Sequence, residues 1–251
     1  MWNQPWIVAA AFAVFGLAGM VKGVVGLGLP TVSMALLALF MPSAEAAALL
    51  LLPSFVTNVV QMRPFNTLPA LLRKLGGMQV GVLAGTLAGM AFWGTVGSLP
   101  GAHRFLGVAL VVYGIWGLWA PQWQMPQKHQ SWLGWIVGAA TGLVTALTGV
   151  FVVPAVPFLQ SLGLARAALM QAMGLCFTVS TVALGLGMWL FGPSTASSAG
   201  MGQGLLISAL MLLPALIGMR WGERLRGALS PASFKKILML SLIVLGVYML
   251  C

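Results

Sequence analysis

Two stretches decide how this chain folds: Gly19-Met20-Val21-Lys22-Gly23-Val24-Val25-Gly26-Leu27-Gly28-Leu29-Pro30 and, half a chain later, Gly142-Leu143-Val144-Thr145-Ala146-Leu147-Thr148-Gly149-Val150-Phe151-Val152-Val153-Pro154. Each sets glycines inside an apolar run and closes on a proline. Glycine allows a helix to be interrupted and a backbone to approach closely, and proline suits the first turn of the helix that follows. A half-helix starting at such a break aims unpaired N–H groups at the protein interior, a cradle for an anion. Any single glycine here reads better as close helix packing. The proline-ended pair reads better as two breaks, with Lys22, Gly26, Gly28 and Pro30 in one and Thr145, Thr148, Gly149 and Pro154 in the other as candidate binding residues.

Lys22 admits two readings. A lysine in a weak dielectric attracts an anion, whereas one near a helix end snorkels to the membrane surface. Its counterpart in the second stretch is Thr145, so the charge is not a symmetric requirement.

Working outward, only 6% of the 251 residues are charged and 60% are hydrophobic, with a mean hydropathy of +1.02. A soluble domain is about a quarter charged. Glu45 and Glu223 are the only acidic residues, so the outer surface must face hydrocarbon. The net charge of +10 is scattered among apolar segments, with no basic stripe for nucleic acid. Cys176 and Cys251 offer neither a disulfide framework nor metal spacing. The N-terminal Met1-Trp2-Asn3-Gln4-Pro5 lacks the basic segment of a cleaved signal and reads as the lead into a retained span. Gly-x-Ser-x-Gly, His-Glu-x-x-His, a phosphate-binding loop and cofactor motifs are absent, so the chain does not read as an enzyme. His103 and His129 fall in loops.

Apolar segments fall at 6–21, 29–41, 45–62, 75–97 and 104–120, then at 132–148, 150–162, 166–190, 201–219 and 234–250. A full crossing needs about 20 residues, so 29–41 and 150–162 are short, and they occupy matching places. Further matches follow: Pro42–Ala47 with Gly163–Ala168, and Gly81 and Gly85 with Gly218 and Gly222. The expected fold is therefore all-α: a single polytopic membrane domain over 1–251. It is read as repeats of about 1–120 and 131–251, joined by a loop at 121–130 within the polar stretch Pro121–Ser131.

If each half has five crossing or re-entrant elements, the second half is inverted. Arg63, Arg73, Lys74, Lys128, Arg166, Arg220, Arg224, Arg226, Lys235 and Lys236 then share one side, with Arg104 alone opposite. The positive-inside rule favours that arrangement over four spans per half, with both termini outside. Trp6, Trp93, Trp116, Trp119, Trp123, Trp132 and Trp135 lie near segment ends, as an interfacial belt requires.

Polar residues follow each break at a similar interval: Thr57, Asn58 and Gln61, then Gln171, Thr178, Ser180 and Thr181. Hydroxyls of this kind more often bond between helices. Asn58 and Gln171 are costlier to bury and are the favoured ligands, with Thr178 beside them. Glu45, after Pro42-Ser43, suits a helix start; Glu223 sits among Arg220, Arg224 and Arg226 as a solvated ion pair. The ladder Gly81, Gly85, Gly89 is read as helix packing.

With both breaks in view, the chain resembles the TauE/SafE sulfite exporter-like family of membrane permeases. The likeness rests on Gly19–Pro30 and Gly142–Pro154, on the Ala-rich stretches Ala44–Leu52 and Ala165–Gly174, and on the glycine spans 81/85 and 218/222. It implies transport of sulfite or a sulfur-containing organic anion across the cell membrane, with a small anionic solute and membrane lipid as partners. The chain departs from the family's Gly-Gly-Gly run, with Gly26-Leu27-Gly28 first and a lone Gly149 second, which bears on the substrate. An intramembrane enzyme and a non-transporting membrane subunit are the competing readings.

Overall fold

The computed structural model describes residues 5–119, 124–192, 198–226 and 231–251. Met1–Gln4 and Pro121–Trp123, which figured in the sequence reading, lie outside them. Among the described residues the chain is all-helical: α1 (Pro5–Val25), α2 (Leu29–Leu37), α3 (Ser43–Gln61), α4 (Leu68–Trp93), α5 (Ala102–Trp119), α6 (Gln127–Thr148), α7 (Ala155–Ser161), α8 (Arg166–Phe191), α9 (Ser198–Leu225) and α10 (Pro231–Leu250), with a short 3-10 turn at Phe65–Thr67. Eight of these helices are long and apolar enough to cross a bilayer. The two that are not, α2 and α7, are the two short segments expected from sequence.

Several boundaries move for local reasons. α4 begins at Leu68, seven residues ahead of the apolar run, because Pro69 favours a first turn and Arg73 and Lys74 do not break a helix. It stops at Trp93, where Gly94 turns to φ +82°. α6 begins at Gln127, inside the polar stretch expected to be loop, since Gln, Lys and His are helix-tolerant at a membrane end. Gly19 and Gly142 are not breaks: α1 runs unbroken to Val25 and α6 to Thr148. The true interruptions are narrower, at Gly26–Gly28 and at Gly149–Pro154.

Two seams of backbone-to-backbone contact organise the bundle. In α1 against α9, a Cβ at Gly19 would stand 2.2 Å from the Ala215 carbonyl oxygen, and one at Gly218 would stand 2.1 Å from that of Gly16. In α4 against α6, a Cβ at Gly85 would stand 2.3 Å from the Ala139 carbonyl oxygen, and one at Gly138 would stand 2.2 Å from that of Met78. Such approach is what small residues supply where lipid provides no hydrophobic drive between helices. The packing reading of Gly81, Gly85 and Gly89 therefore holds, and it extends to Gly19 and Gly142.

Contact order gives direction. α1 and α9 run parallel, as Gly16, Gly19 and Gly23 meet Pro214, Ala215 and Met219. α4 and α6 run parallel, as Gly77, Gly85 and Gly89 meet Trp135, Ala139 and Ala146. α5 and α10 are antiparallel, Gly107 meeting Gly246 and Gly117 meeting Met239. α3 and α8 are antiparallel too, since Gln171 donates to the Met62 carbonyl while Gly185 lies over Leu51.

α1 and α3 finish at the same end of the bundle, where Lys22 bonds Thr57. At the other end Trp6 lies against Phe40, ring centroids 6.2 Å apart. Between Val25 and Ser43 the chain thus returns from one end to the other with only nine residues helical. These directions gather the starts of α4, α6, α8 and α10 and the end of α9, with their Lys and Arg residues, at the Lys22 end. Arg104, at the start of α5, lies at the Trp6 end.

A proline inside α3 shows how the bundle satisfies its backbone. Pro53 has no N–H for the Leu49 carbonyl. Ser208 of α9 donates its hydroxyl to that carbonyl at 2.8 Å and accepts from the Leu52 N–H at 3.2 Å. In hydrocarbon such a group cannot be left to water, so the serine is part of the fold.

Candidate functional site

The first break begins where α1 runs out. Gly26 and Gly28 take φ of +81° and +112°, the left-handed region that glycine tolerates. α2 then starts with Gly28 as its cap, Pro30 in its first turn and no side chain closing its N-terminus. Its first helical bond is Val32 N–H to the Gly28 carbonyl. Leu29 and Thr31 are fully buried, and the Thr31 hydroxyl has no hydrogen-bond partner. The positive end of a buried half-helix is thus left without a protein acceptor.

Lys22 stands one turn before Gly26. Its side chain is 3% exposed, which overturns the snorkelling alternative. The ammonium donates to Thr57 Oγ1 at 3.1 Å and to Asn58 Oδ1. Both acceptors are neutral. Glu223 is exposed on α9 and Glu45 starts α3 at the Trp6 end, so no carboxylate among the described residues balances this charge. Thr57 is itself anchored, donating to the Pro53 carbonyl at 2.7 Å. Asn58 turns its amide N–H toward Thr181 Oγ1 of α8 at 3.5 Å. The row Lys22–Asn58–Thr181 therefore crosses α1, α3 and α8. One helical turn before Asn58, the buried Ser54 hydroxyl is also without a partner.

Neighbouring groups fix the break in place. Gln61 donates to the carbonyls of Gly26, at 2.9 Å, and of Met170, at 3.1 Å. Arg226, just past α9, places its Nε 3.1 Å from the carbonyl oxygens of both Gly23 and Val24, and its Nη2 also donates to Gly23. A guanidinium there caps the C-terminus of α1 and offsets its negative dipole end. Met170 lies over Gly26, where a Cβ would stand 1.9 Å from its Cε.

The remaining sequence-predicted residues serve the backbone. Gln171 donates to the carbonyls of Met62, at 2.8 Å, and Pro64, at 2.6 Å, and accepts from Thr67, so its amide closes the end of α3. Thr178 donates to the Gly174 carbonyl at 2.7 Å. In the second break, Thr145 bonds the Thr141 carbonyl at 2.8 Å, and Thr148 donates to Val144 while accepting from Val150 N–H at 3.1 Å. Gly149, at φ +70°, packs on Met34 of α2, and Pro154 precedes α7. The structure thus bonds Lys22 to Asn58 and ties Gly26 to Gln61, while Gln171, Thr178, Thr145 and Thr148 are bonded to backbone carbonyls and Pro154 lines a cavity between α5, α6, α7 and α10. Sequence reasoning missed Thr31, Ser54 and Arg226. The first two are single hydroxyls in apolar runs, and Arg226 looked like one of many loop cations.

Eight helices of spanning length, with two short helices between them, define a multi-pass membrane protein. The Sulfite exporter TauE/SafE family model matches residues 11–249, nearly the whole chain, and the protein belongs to that family of sulfite exporter transporters. No curated protein and no solved structure matches it.

Proposed function

We propose that this protein is a secondary transporter of the cell (inner) membrane that carries a small anion, sulfite or a sulfur-containing organic anion, by alternating access. The observation that carries this reading is the Lys22 ammonium, 3% exposed and bonded only to neutral oxygens. A charge withdrawn from water and left without a counter-ion is strongly unfavourable. An anion of the solute, held between that ammonium, the Asn58 amide and the open N-terminus of α2, supplies what the chain does not. The free hydroxyls of Thr31 and Ser54 suit a solute rich in oxygen acceptors.

The repeat reading is supported by reciprocal packing. α1 pairs with α9 as α6 pairs with α4, both parallel, and the like-placed pairs α3–α8 and α5–α10 are antiparallel. That is the relation expected of two halves of about 120 residues inserted in opposite senses. The gathering of basic residues at the Lys22 end makes that end cytoplasmic.

Uptake of radiolabelled sulfite into proteoliposomes tests the proposal. Flux should saturate, and should fall to background in Lys22→Gln with protein levels and melting temperature maintained. Undiminished flux in that variant rejects the site. No sulfite or sulfonate flux in the wild type rejects the substrate class.

A further inference from the structure

A second region of the molecule borders the second break, at Val153 and Pro154, away from the group around Lys22. A cavity of about 770 Å³ lies between α5, α6, α7 and α10 and does not include Lys22. Its inner wall carries Tyr113, 3% exposed, whose hydroxyl makes no hydrogen bond among the described residues. At its rim stands Lys235, half-buried near the start of α10, also with no partner among the described residues. The ring is buried while the residue lines the cavity, so the hydroxyl is free to donate to an occupant of that space. A lysine on the lining of the same cavity favours an occupant that is negatively charged.

The outer wall says where that acceptor comes from. Val112 and Trp116 line the cavity and are 47% and 38% exposed. On a spanning helix, an apolar wall open to this degree is one that a lipid chain can cover. Ser161, whose carbonyl accepts from Met125 N–H, places the cavity at the end where α6 and α10 begin, the basic end of the bundle. The cytoplasmic leaflet is where anionic lipids meet such ends.

We propose that this cavity binds an anionic phospholipid, its phosphate held by Lys235 and the Tyr113 hydroxyl and an acyl chain lying along Val112 and Trp116. The site is independent of the solute site around Lys22.

Native mass spectrometry of the full-length protein, released from nanodiscs of phosphatidylcholine containing a minor share of phosphatidylglycerol, tests this. The wild type should retain phosphatidylglycerol in preference to phosphatidylcholine. Lys235→Gln should weaken that preference about fivefold, the worth of one lysine near a charged headgroup, and Tyr113→Phe should weaken it to a smaller degree. Lys236→Gln, at the exposed neighbouring position, should leave it unchanged, and melting temperatures in phosphatidylcholine alone report whether each variant is folded. Equal retention of both lipids by the wild type, or equal losses at positions 235 and 236, overturns the site. Displacement of the lipid by millimolar inorganic phosphate would make it a site for soluble anions and overturn the lipid assignment. Lipid preference with no sulfite flux would count against the transport reading alone; flux without lipid preference would count against this site alone.

Discussion

Replacing Lys22 with methionine exchanges a buried ammonium for an apolar chain of similar length, and the proposed site predicts opposite consequences for stability and for binding. On the stability side, the substitution leaves the Asn58 oxygen without its donor, a cost of about 1–3 kcal/mol. Thr57 keeps its own bond to the Pro53 carbonyl. Against that cost, the substitution removes an uncompensated buried charge, whose burial is unfavourable by several kcal/mol. The melting temperature of the empty protein should therefore hold or rise. On the binding side, removing one partner of a buried charge pair weakens the complex by about 2–5 kcal/mol, roughly thirtyfold to several thousandfold in Kd. Scintillation proximity binding of radiolabelled sulfite to detergent-purified protein measures the second quantity, and a thermal scan of the same sample measures the first. Unaltered affinity would refute the assignment of Lys22 to the solute. A melting temperature lowered by many degrees, with affinity lost only in step with unfolding, would make Lys22 a structural tie.

Asn58→Asp should abolish sulfite binding in the same assay while raising the melting temperature, because a carboxylate in contact with Lys22 supplies the missing counter-ion from within; retained affinity would show that the ammonium is not the anion's partner. Ser208→Ala should cost about 1–2 kcal/mol of stability by orphaning the Leu49 carbonyl at Pro53, seen as a lower midpoint in thermal denaturation, with the solute Kd unmoved. In a background lacking Cys176 and Cys251, impermeant thiol reagents applied to intact cells should label Arg104→Cys but not Arg73→Cys or Arg224→Cys. Labelling of positions 73 and 224 from opposite faces would rule out the inverted arrangement.

How legible was all this in the sequence? The membrane was legible because it is a sum: two carboxylates in 251 residues leave no other surface. The short helices were legible because length decides them, and nine and seven residues do not span about 30 Å. The extent of each break was not, since Gly19 and Gly26 carry the same letter and do different work. Gly19 faces the Ala215 backbone of α9, a partner nearly 200 positions away, whereas Gly26 meets a local demand for positive φ. The site residues divided the same way. Asn58 and Gln171 are both amides in apolar helices, and burial cost alone ranked them equally. What separates them is that Gln171 lies opposite the orphaned carbonyls at the end of α3, while Asn58 lies opposite a charge. That distinction belongs to tertiary packing, and neither motif nor composition carries it.

The two breaks, alike in letters, differ in chemistry, and the difference bears on where the proposed anion can sit. In the first, the polar atoms point away from the local backbone: Lys22 reaches to α3, and the Thr31 hydroxyl and the α2 N-terminus meet no acceptor. In the second, Thr145 and Thr148 spend their hydroxyls on the carbonyls of Thr141 and Val144, and Val150 N–H is taken up by Thr148. A self-satisfied loop has little left with which to hold a solute, and α7, at seven residues, makes too short a helix for a strong dipole. The first break also has a cation behind it as well as in it, since Arg226 caps α1 from α9 and so keeps the negative end of that helix from facing the same space. Thus the two breaks differ in what they offer: Lys22 lies one turn before Gly26 in the first, whereas the hydroxyls of Thr145 and Thr148 in the second are taken up locally. On the proposed reading the anion settles beside the first break, while Gly149 of the second packs on Met34 of α2.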